Sequence, residues 1–346
     1  VKSKGYAALS ENGKFEPYAF ERREVGTKDV ALDILYGGIC HSDIHQVRGE
    51  WGPALFPMVP GHEIVGRVTS IGGSVSKFAI GDLIGIGVFI DSCRTCKNCL
   101  VGLQQYCLNG MTGTYNGYER DGTTVAMGGY SNNFVINEDY AVHVPANLPL
   151  EGVAPLMCAG ITLYSPLKHW NAGPGKKVAI MGLGGLGHMG LKFAAALGAH
   201  VTVLSHSPTK RADALSMGAH DFVVMDSDEA FAGLKRNFDL ILNTVSADMP
   251  IAKYLDLVAV DGALVMIGLP NEPLTVSVGS LIGSRRTLSG SMIGGIPELQ
   301  EMLEFCGIHN IVSEVEVIKP EYINEAYDRT VASDVKYRFV IDSSAY

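Results

Sequence analysis

The chain has 346 residues, enough for roughly two domains of ordinary size, and its 47% hydrophobic and 18% charged residues allow sizeable cores. A net charge of −9 without a dense basic cluster argues against nucleic acid as a partner, and no apolar run is long enough to span a bilayer. Seven cysteines, an odd number, and an opening Val-Lys-Ser-Lys-Gly-Tyr without a signal-peptide pattern point to a reducing, cytoplasmic setting where cysteine serves metal or packing.

Residues 1–90 read as β-rich, with strands expected at Asp29–Leu35, Glu63–Ile71 and Asp82–Val88 and Gly and Pro between them. Cys40 opens the segment Cys-His-Ser-Asp-Ile-His, and His62 lies in Gly61-His62-Glu63. Residues 91–135 are loop-rich and hold Cys93, Cys96, Cys99 and Cys107, spaced C-x2-C-x2-C-x7-C. Such a segment can close around one tetrahedral metal, and four thiolates are a common structural zinc site. An apolar, helix-like stretch over Val153–Trp170 follows, with Cys158 near its start.

The rhythm then changes to alternating strands and helices. A strand is expected at Lys177–Met181, a Gly-rich turn at Gly182–Gly187, a helix over Leu186–Leu197 closed by Gly198, a strand at His200–Leu204 and a helix over Pro208–Met217. Strands follow at Phe222–Met225, Leu240–Asn243 and Ala263–Ile267, separated by helical segments. This alternation implies a doubly wound parallel sheet covered on both faces, an α/β fold. Beyond residue 292 come a helix (Pro297–Cys306), a strand (Glu314–Ile318), a helix (Glu321–Thr330) and a strand (Tyr337–Ile341).

The turn Gly182-Leu-Gly184-Gly185-Leu186-Gly187 is G-x-G-x-x-G between a strand and a helix, the context in which it binds a dinucleotide. Gly182 permits the turn, Gly184 lets backbone approach the diphosphate, and Gly187 lets helix and strand pack closely. An NAD site usually carries Asp or Glu about 20 residues on. Here Ser205-His206-Ser207-Pro-Thr-Lys210-Arg211 has no carboxylate. Hydroxyls and two cations suit a 2′-phosphate, so NADP(H) is favoured over NAD.

Cys40, Cys158 and Cys306 remain. Cys40, Cys158 and His62 would make a three-ligand zinc site with an open position, the catalytic arrangement. Their gaps are too long for spacing alone to join them. Cys306, in Met-Leu-Glu-Phe-Cys, reads as a packed core residue.

Together, Gly-His-Glu, Cys-His-Ser-Asp-x-His, the four-cysteine loop and the G-x-G-x-x-G resemble the zinc-dependent medium-chain alcohol dehydrogenases over essentially the whole chain. Val-Arg-Gly-Glu-Trp-Gly-Pro (47–53), Asp-Ser-Cys-Arg-Thr-Cys (91–96) and Tyr-Arg-Phe-Val-Ile-Asp (337–342) are similar to the cinnamyl alcohol dehydrogenase branch, typically NADP-dependent. The resemblance implies a GroES-like zinc domain (1–159 with 293–346) and a Rossmann cofactor domain (160–292), with the active cleft between them. It implies two zinc ions per chain: a catalytic one on Cys40, His62 and Cys158, and a structural one on Cys93, Cys96, Cys99 and Cys107. Glu63 would lie behind the catalytic metal, Asp43 would hold His62, and Ser42 and His45 would relay a proton. Thr162 would meet the nicotinamide, with His41 and Arg338 near the cofactor phosphates. Trp51, Phe89, Leu269 and Met292 would line a substrate pocket.

The implied reaction is hydride transfer between NADP(H) and a primary alcohol or aldehyde, aromatic or medium-chain, by a homodimer joined through the cofactor domains or by a tetramer. Cinnamyl alcohol dehydrogenases of plants often carry Trp shortly before the Tyr-Asn pair. Here Met111-Thr112-Gly113-Thr114 precedes Tyr115-Asn116, which implies a more open pocket and broad aldehyde reduction. Two other readings compete: a metal-independent quinone or enone reductase of the same superfamily, and a zinc-ribbon nucleotide-binding module without catalysis.

Overall fold

The structure, a computed structural model, describes residues 1–270 and 272–346. It divides into two compact units, residues 1–161 with 294–346, and residues 162–293.

The first unit is built on the strand Asp29–Gly38. Ile64–Ile71 pairs with one edge of it, while Asn133–Asn137 and Arg338–Asp342 share the other, all antiparallel. Leu83–Ile86 and Ala141–His143 extend the sheet on one side; on the other, Val315–Ile318 runs parallel to Arg338–Asp342. Phe15, Ile44, Val47, Met58, Tyr130, Tyr327 and Phe339 belong to one buried cluster.

Two elements of this unit are not legible in the period-two pattern. Lys2–Ala8 and Phe15–Glu21 form a two-stranded antiparallel sheet, although Pro17 and charged residues blur the alternation. His41–Val47 is a helix set among strands, one of the irregularities that strand periodicity cannot announce. The expected helix over 153–170 is in fact broken. A helix at Leu150–Val153 and a 3₁₀ turn at Ala154–Met157 precede a second helix, Ala159–His169, and Cys158 sits at the break with φ −125° and ψ −70°. These bent segments are largely buried, and among the described residues no single helix is long and apolar enough to cross a membrane.

The second unit is a six-stranded parallel sheet. Its spatial order is Asp221–Val224, His200–Ser205, Lys177–Met181, Phe238–Asn243, Val258–Met266, Thr287–Gly290. Numbered in sequence, that is 3-2-1-4-5-6, the doubly wound order whose switch point lies beside the first strand. The sixth strand, Thr-Leu-Ser-Gly, escapes prediction because an edge strand needs little apolar content. Apolar residues from the inner strands, among them Ala179, Met181, Leu204, Ile241 and Leu264, fill a core layer.

Candidate metal centre and cofactor site

The helix His41–Val47 starts at Cys40, whose backbone N–H donates to Asp43 Oδ2 at 2.9 Å. This is a capping-box contact, and it draws the Asp43 carboxylate into the interior. Its other oxygen accepts from Gly61 N at 3.3 Å and faces His62 Nδ1 at 2.9 Å. Both His62 and Asp43 are buried. A carboxylate on Nδ1 fixes that nitrogen as the donor and leaves Nε2 as a lone-pair ligand.

Cys40, His62, Glu63 and Cys158 converge, with one donor atom from each lying within 4.8 Å of the others. The Cys40 and Cys158 sulfurs are 4.0 Å apart. Two thiolates on a tetrahedral zinc, at about 2.3 Å each, would stand roughly 3.8 Å apart. His62 Nε2 and Glu63 Oε2 are buried and have no protein partner. Unpaired buried polar atoms are costly unless something satisfies them, and a metal would do so here; the donor set fits zinc. The remaining Glu63 oxygen is ion-paired with the Arg338 guanidinium. Burial pushes the Glu63 carboxyl up to about 7, against the pull of Arg338. Tyr115 stacks its ring on His62 at 5.9 Å.

The second cluster is Cys93, Cys96, Cys99 and Cys107, again with sulfurs within 4.8 Å of one another. Arg94 takes a positive φ of 64°, which folds the loop back on itself. Backbone N–H groups then aim at the sulfurs: Cys96 N at Cys93 Sγ (3.4 Å), Cys93 N at Cys107 Sγ (3.4 Å) and Leu108 N at Cys96 Sγ (3.5 Å). N–H donors from Thr95 and Cys96 hold the Cys93 thiol down at about 5. Such donors favour thiolate, the form that binds metal. Cys306, by contrast, is fully buried, and burial pushes its thiol up to about 12.

In the second unit, the turn Gly182–Gly187 joins the strand Lys177–Met181 to the helix Gly187–Ala196. A Cβ on Gly187 would fall 2.0 Å from the Gly182 carbonyl oxygen, whereas a Cβ on Gly184 would meet nothing within 4 Å. The first position therefore serves packing, and the second leaves open space where a diphosphate needs close approach. Lys210 Nζ donates to the Leu183 carbonyl at 2.9 Å, which brings this cation to the Gly-rich turn. Ser205 Oγ accepts from Ser207 N at 3.1 Å, and Ser207 Oγ lies 2.7 Å from Thr209 Oγ1. Arg211 instead lies over the Phe222 ring at 5.1 Å. Thr162, buried, has no partner for its hydroxyl.

Ser42 Oγ lies 3.6 Å from Cys40 Sγ, on the same helical turn. His45 stacks on Trp51 at 4.8 Å and sits 5.5 Å from His41. Its Nδ1 is bonded to Glu50, a carboxylate inside the 47–53 segment to which the sequence reading gives no role. Asn116 bonds Gln46 and accepts from Leu55 N at 2.8 Å. Arg338, expected near cofactor phosphates, is buried, with its guanidinium on Glu63. The four residues assigned to a substrate pocket are not gathered within either unit. Trp51 (47% exposed) and the buried Phe89, edge-on to Tyr140, belong to the first, and Leu269 and Met292, both exposed, to the second.

Comparison with known proteins adds a lineage to this geometry. Residues 26–146 match the alcohol dehydrogenase GroES-like domain, and residues 185–307 match the zinc-binding dehydrogenase family. The chain is 55% identical to the NADP-dependent alcohol dehydrogenase C 1 of Mycolicibacterium smegmatis, over 98% of this chain and 97% of that protein. Among solved structures, it is similar to the cinnamyl alcohol dehydrogenase SbCAD4 of Sorghum bicolor, with a TM-score of 0.95 and 42% identity, covering 99% of this chain and 98% of that one. It is also similar to CAD of Helicobacter pylori complexed with NADP(H), with a TM-score of 0.92 and 43% identity over 99% of both chains.

Proposed function

The chain belongs to the zinc-binding, GroES-like alcohol dehydrogenase family, and from that premise we propose that it transfers hydride between NADP(H) and primary alcohols or aldehydes of aromatic or medium-chain type. The convergence of Cys40, His62, Glu63 and Cys158 carries this reading, because two of its buried donor atoms have no protein partner. Bound there, zinc supplies Lewis acidity, which acidifies an alcohol hydroxyl and polarises a carbonyl.

The chain's own residues then have distinct roles. Cys40, His62 and Cys158 hold the metal in buried surroundings, and Asp43 keeps His62 in the ligating tautomer. Glu63, anchored by Arg338, stands in reserve behind them. Ser42 accepts the substrate's proton and His45 carries it toward solvent, with Glu50 fixing the imidazole through Nδ1 so that Nε2 can take the proton. Ser42→Ala is expected to lower kcat by about 100-fold, at the lower end for a lost proton-transfer group, with the NADPH dissociation constant unchanged. Equal turnover in the variant would remove Ser42 from the relay.

Cofactor selection is assigned to Ser205, Ser207 and Lys210, with His41 as a second phosphate contact. Their support is the Lys210 bond to the Gly-rich turn, the missing carboxylate and the NADP named for two relatives. The test is a panel of aromatic and aliphatic aldehydes assayed with NADPH and NADH in parallel, on wild type and Lys210→Ala. Wild type is expected to favour NADPH. Lys210→Ala is expected to raise the NADPH KM about tenfold, the scale of one charge-assisted hydrogen bond, with NADH little affected. A wild-type preference for NADH would overturn the cofactor assignment, and no turnover of any aldehyde would overturn the activity.

We assign Trp51, Phe89, Leu269 and Met292 to the substrate pocket, with Thr162 meeting the nicotinamide. The cinnamyl alcohol dehydrogenase named among the similar structures supports aromatic substrates. The oligomer we propose is a homodimer joined through the second units, where Thr287–Gly290 is an edge strand and Val278 and Ile282 are exposed. Seven free cysteines support a reducing, cytoplasmic setting.

A further inference from the structure

We infer that Tyr130 is a positioning residue for the metal centre, acting through Asp43. Neither the tyrosine nor its segment belongs to any motif of the site, and it lies 87 positions from Asp43 in sequence. The inference rests on the reading of Cys40, His62 and Cys158 as zinc ligands.

Tyr130 is fully buried and is one of the largest fully buried side chains. Its hydroxyl donates to Asp43 Oδ2 at 3.0 Å. Asp43 is equally inaccessible, and a carboxylate offers about four lone-pair positions. Cys40 N and Tyr130 OH reach Oδ2, Gly61 N and His62 Nδ1 reach Oδ1, and the buried Tyr115 hydroxyl also bonds this carboxylate. The carboxylate thus ties one ligand's backbone to another ligand's ring, and the Tyr130 hydroxyl braces Oδ2, the oxygen that receives the Cys40 N–H.

The direction of the network is fixed by proton count. A phenol has one proton, and Asp43, as a carboxylate, has none to give. Tyr130 therefore donates to Asp43, and Tyr327 OH, 3.2 Å away, donates to Tyr130. Each donor in such a chain strengthens the next. The result withdraws charge from Oδ2 and limits how strongly Asp43 pulls on the His62 N–H.

Packing keeps this hydroxyl in place. The Tyr130 ring lies against Gly61, whose φ of +103° and missing side chain make the room; a Cβ there would fall 2.6 Å from Tyr130 Cδ1. Phe15 and Tyr327 meet the ring edge-on at 5.9 and 6.4 Å. Backbone bonds from Tyr130 N to Pro60 O and from Tyr6 N to Tyr130 O, both 2.9 Å, hold the residue beside the loop that carries His62 and Glu63. A phenylalanine would keep all of this packing and lose only the hydroxyl.

The test compares Tyr130→Phe with Tyr327→Phe. Zinc release to 1,10-phenanthroline is followed, with the phase from this centre identified by its loss in Cys158→Ala. The visible spectrum of cobalt-substituted protein reports ligand geometry separately from turnover. Tyr130→Phe is expected to speed release from this centre about tenfold, the lower end of effects seen for groups behind metal ligands, and to shift the cobalt bands. Tyr327→Phe, which leaves the Tyr130–Asp43 bond intact, is expected to change release less than about twofold relative to that scale. Wild-type release and an unshifted spectrum in Tyr130→Phe would overturn the inference while leaving the metal centre standing. Equal effects of the two variants would also overturn it, since the hydroxyl touching Asp43 would then have no special place. Wild-type protein holding no zinc in this centre would overturn the underlying reading and this inference with it.

Discussion

Cys158→Ala is expected to bind one zinc per chain instead of two and to lose at least about 1,000-fold in kcat/KM. That size follows from what the metal does: Lewis-acid stabilisation is worth several kcal/mol, and each 1.36 kcal/mol is a factor of ten. The fold should survive. Cys158 sits at the break between Ala154–Met157 and Ala159–His169, and that break is made by backbone geometry on both sides rather than by the sulfur. Metal analysis by emission spectrometry gives the stoichiometry, and the thermal midpoint checks the fold. Two zinc ions retained with full activity would show that Cys158 is no ligand.

Cys99→Ser is expected to act on stability rather than on chemistry. Cys99 is the buried member of its cluster, and Ser92 Oγ lies 3.1 Å from its sulfur and 2.7 Å from Tyr140 OH. A metal there is tied through Ser92 to the body of the first unit. Loss of a structural metal is among the few single changes that cost more than about 4 kcal/mol. For a unit of this size that is roughly 8–16 °C in Tm. The cleavage rate in residues 91–110 by a broad-specificity protease should rise, because the backbone N–H groups aimed at the sulfurs lose their charged acceptors. The aldehyde reductase activity of molecules still folded should stay near that of wild type. An unchanged Tm would mean that the four sulfurs do not staple this lobe.

The two metal clusters differ in how far sequence reveals them, for a physical reason. Cys93, Cys96, Cys99 and Cys107 lie on one short loop, so spacing is geometry. Cys40, His62 and Cys158 come from a helix start, a loop and a helix break, and no local periodicity reports that three remote elements meet. Resemblance to a family joins them, and the buried, partnerless Nε2 of His62 is what the structure adds. The parallel sheet is legible because its inner strands are continuous apolar runs. The helix His41–Val47 is not, because a short helix that buries only Asp43, Ile44 and Val47 displays little period. Glu50 and Tyr130 escape sequence reasoning for a different reason: their significance lies wholly in which atoms they touch.

The Arg338–Glu63 pair joins a residue near position 63 to a strand that the ribosome adds some 275 residues later. Until Arg338–Asp342 docks beside Asp29–Gly38, Glu63 has no counter-charge for its burial, and the sheet that carries it lacks a neighbour. The inserted unit, continuous from 162 to 293, needs no such wait. Contacts so distant in sequence form late. During synthesis the nucleotide-binding half can therefore mature first, while the metal-bearing half stays open.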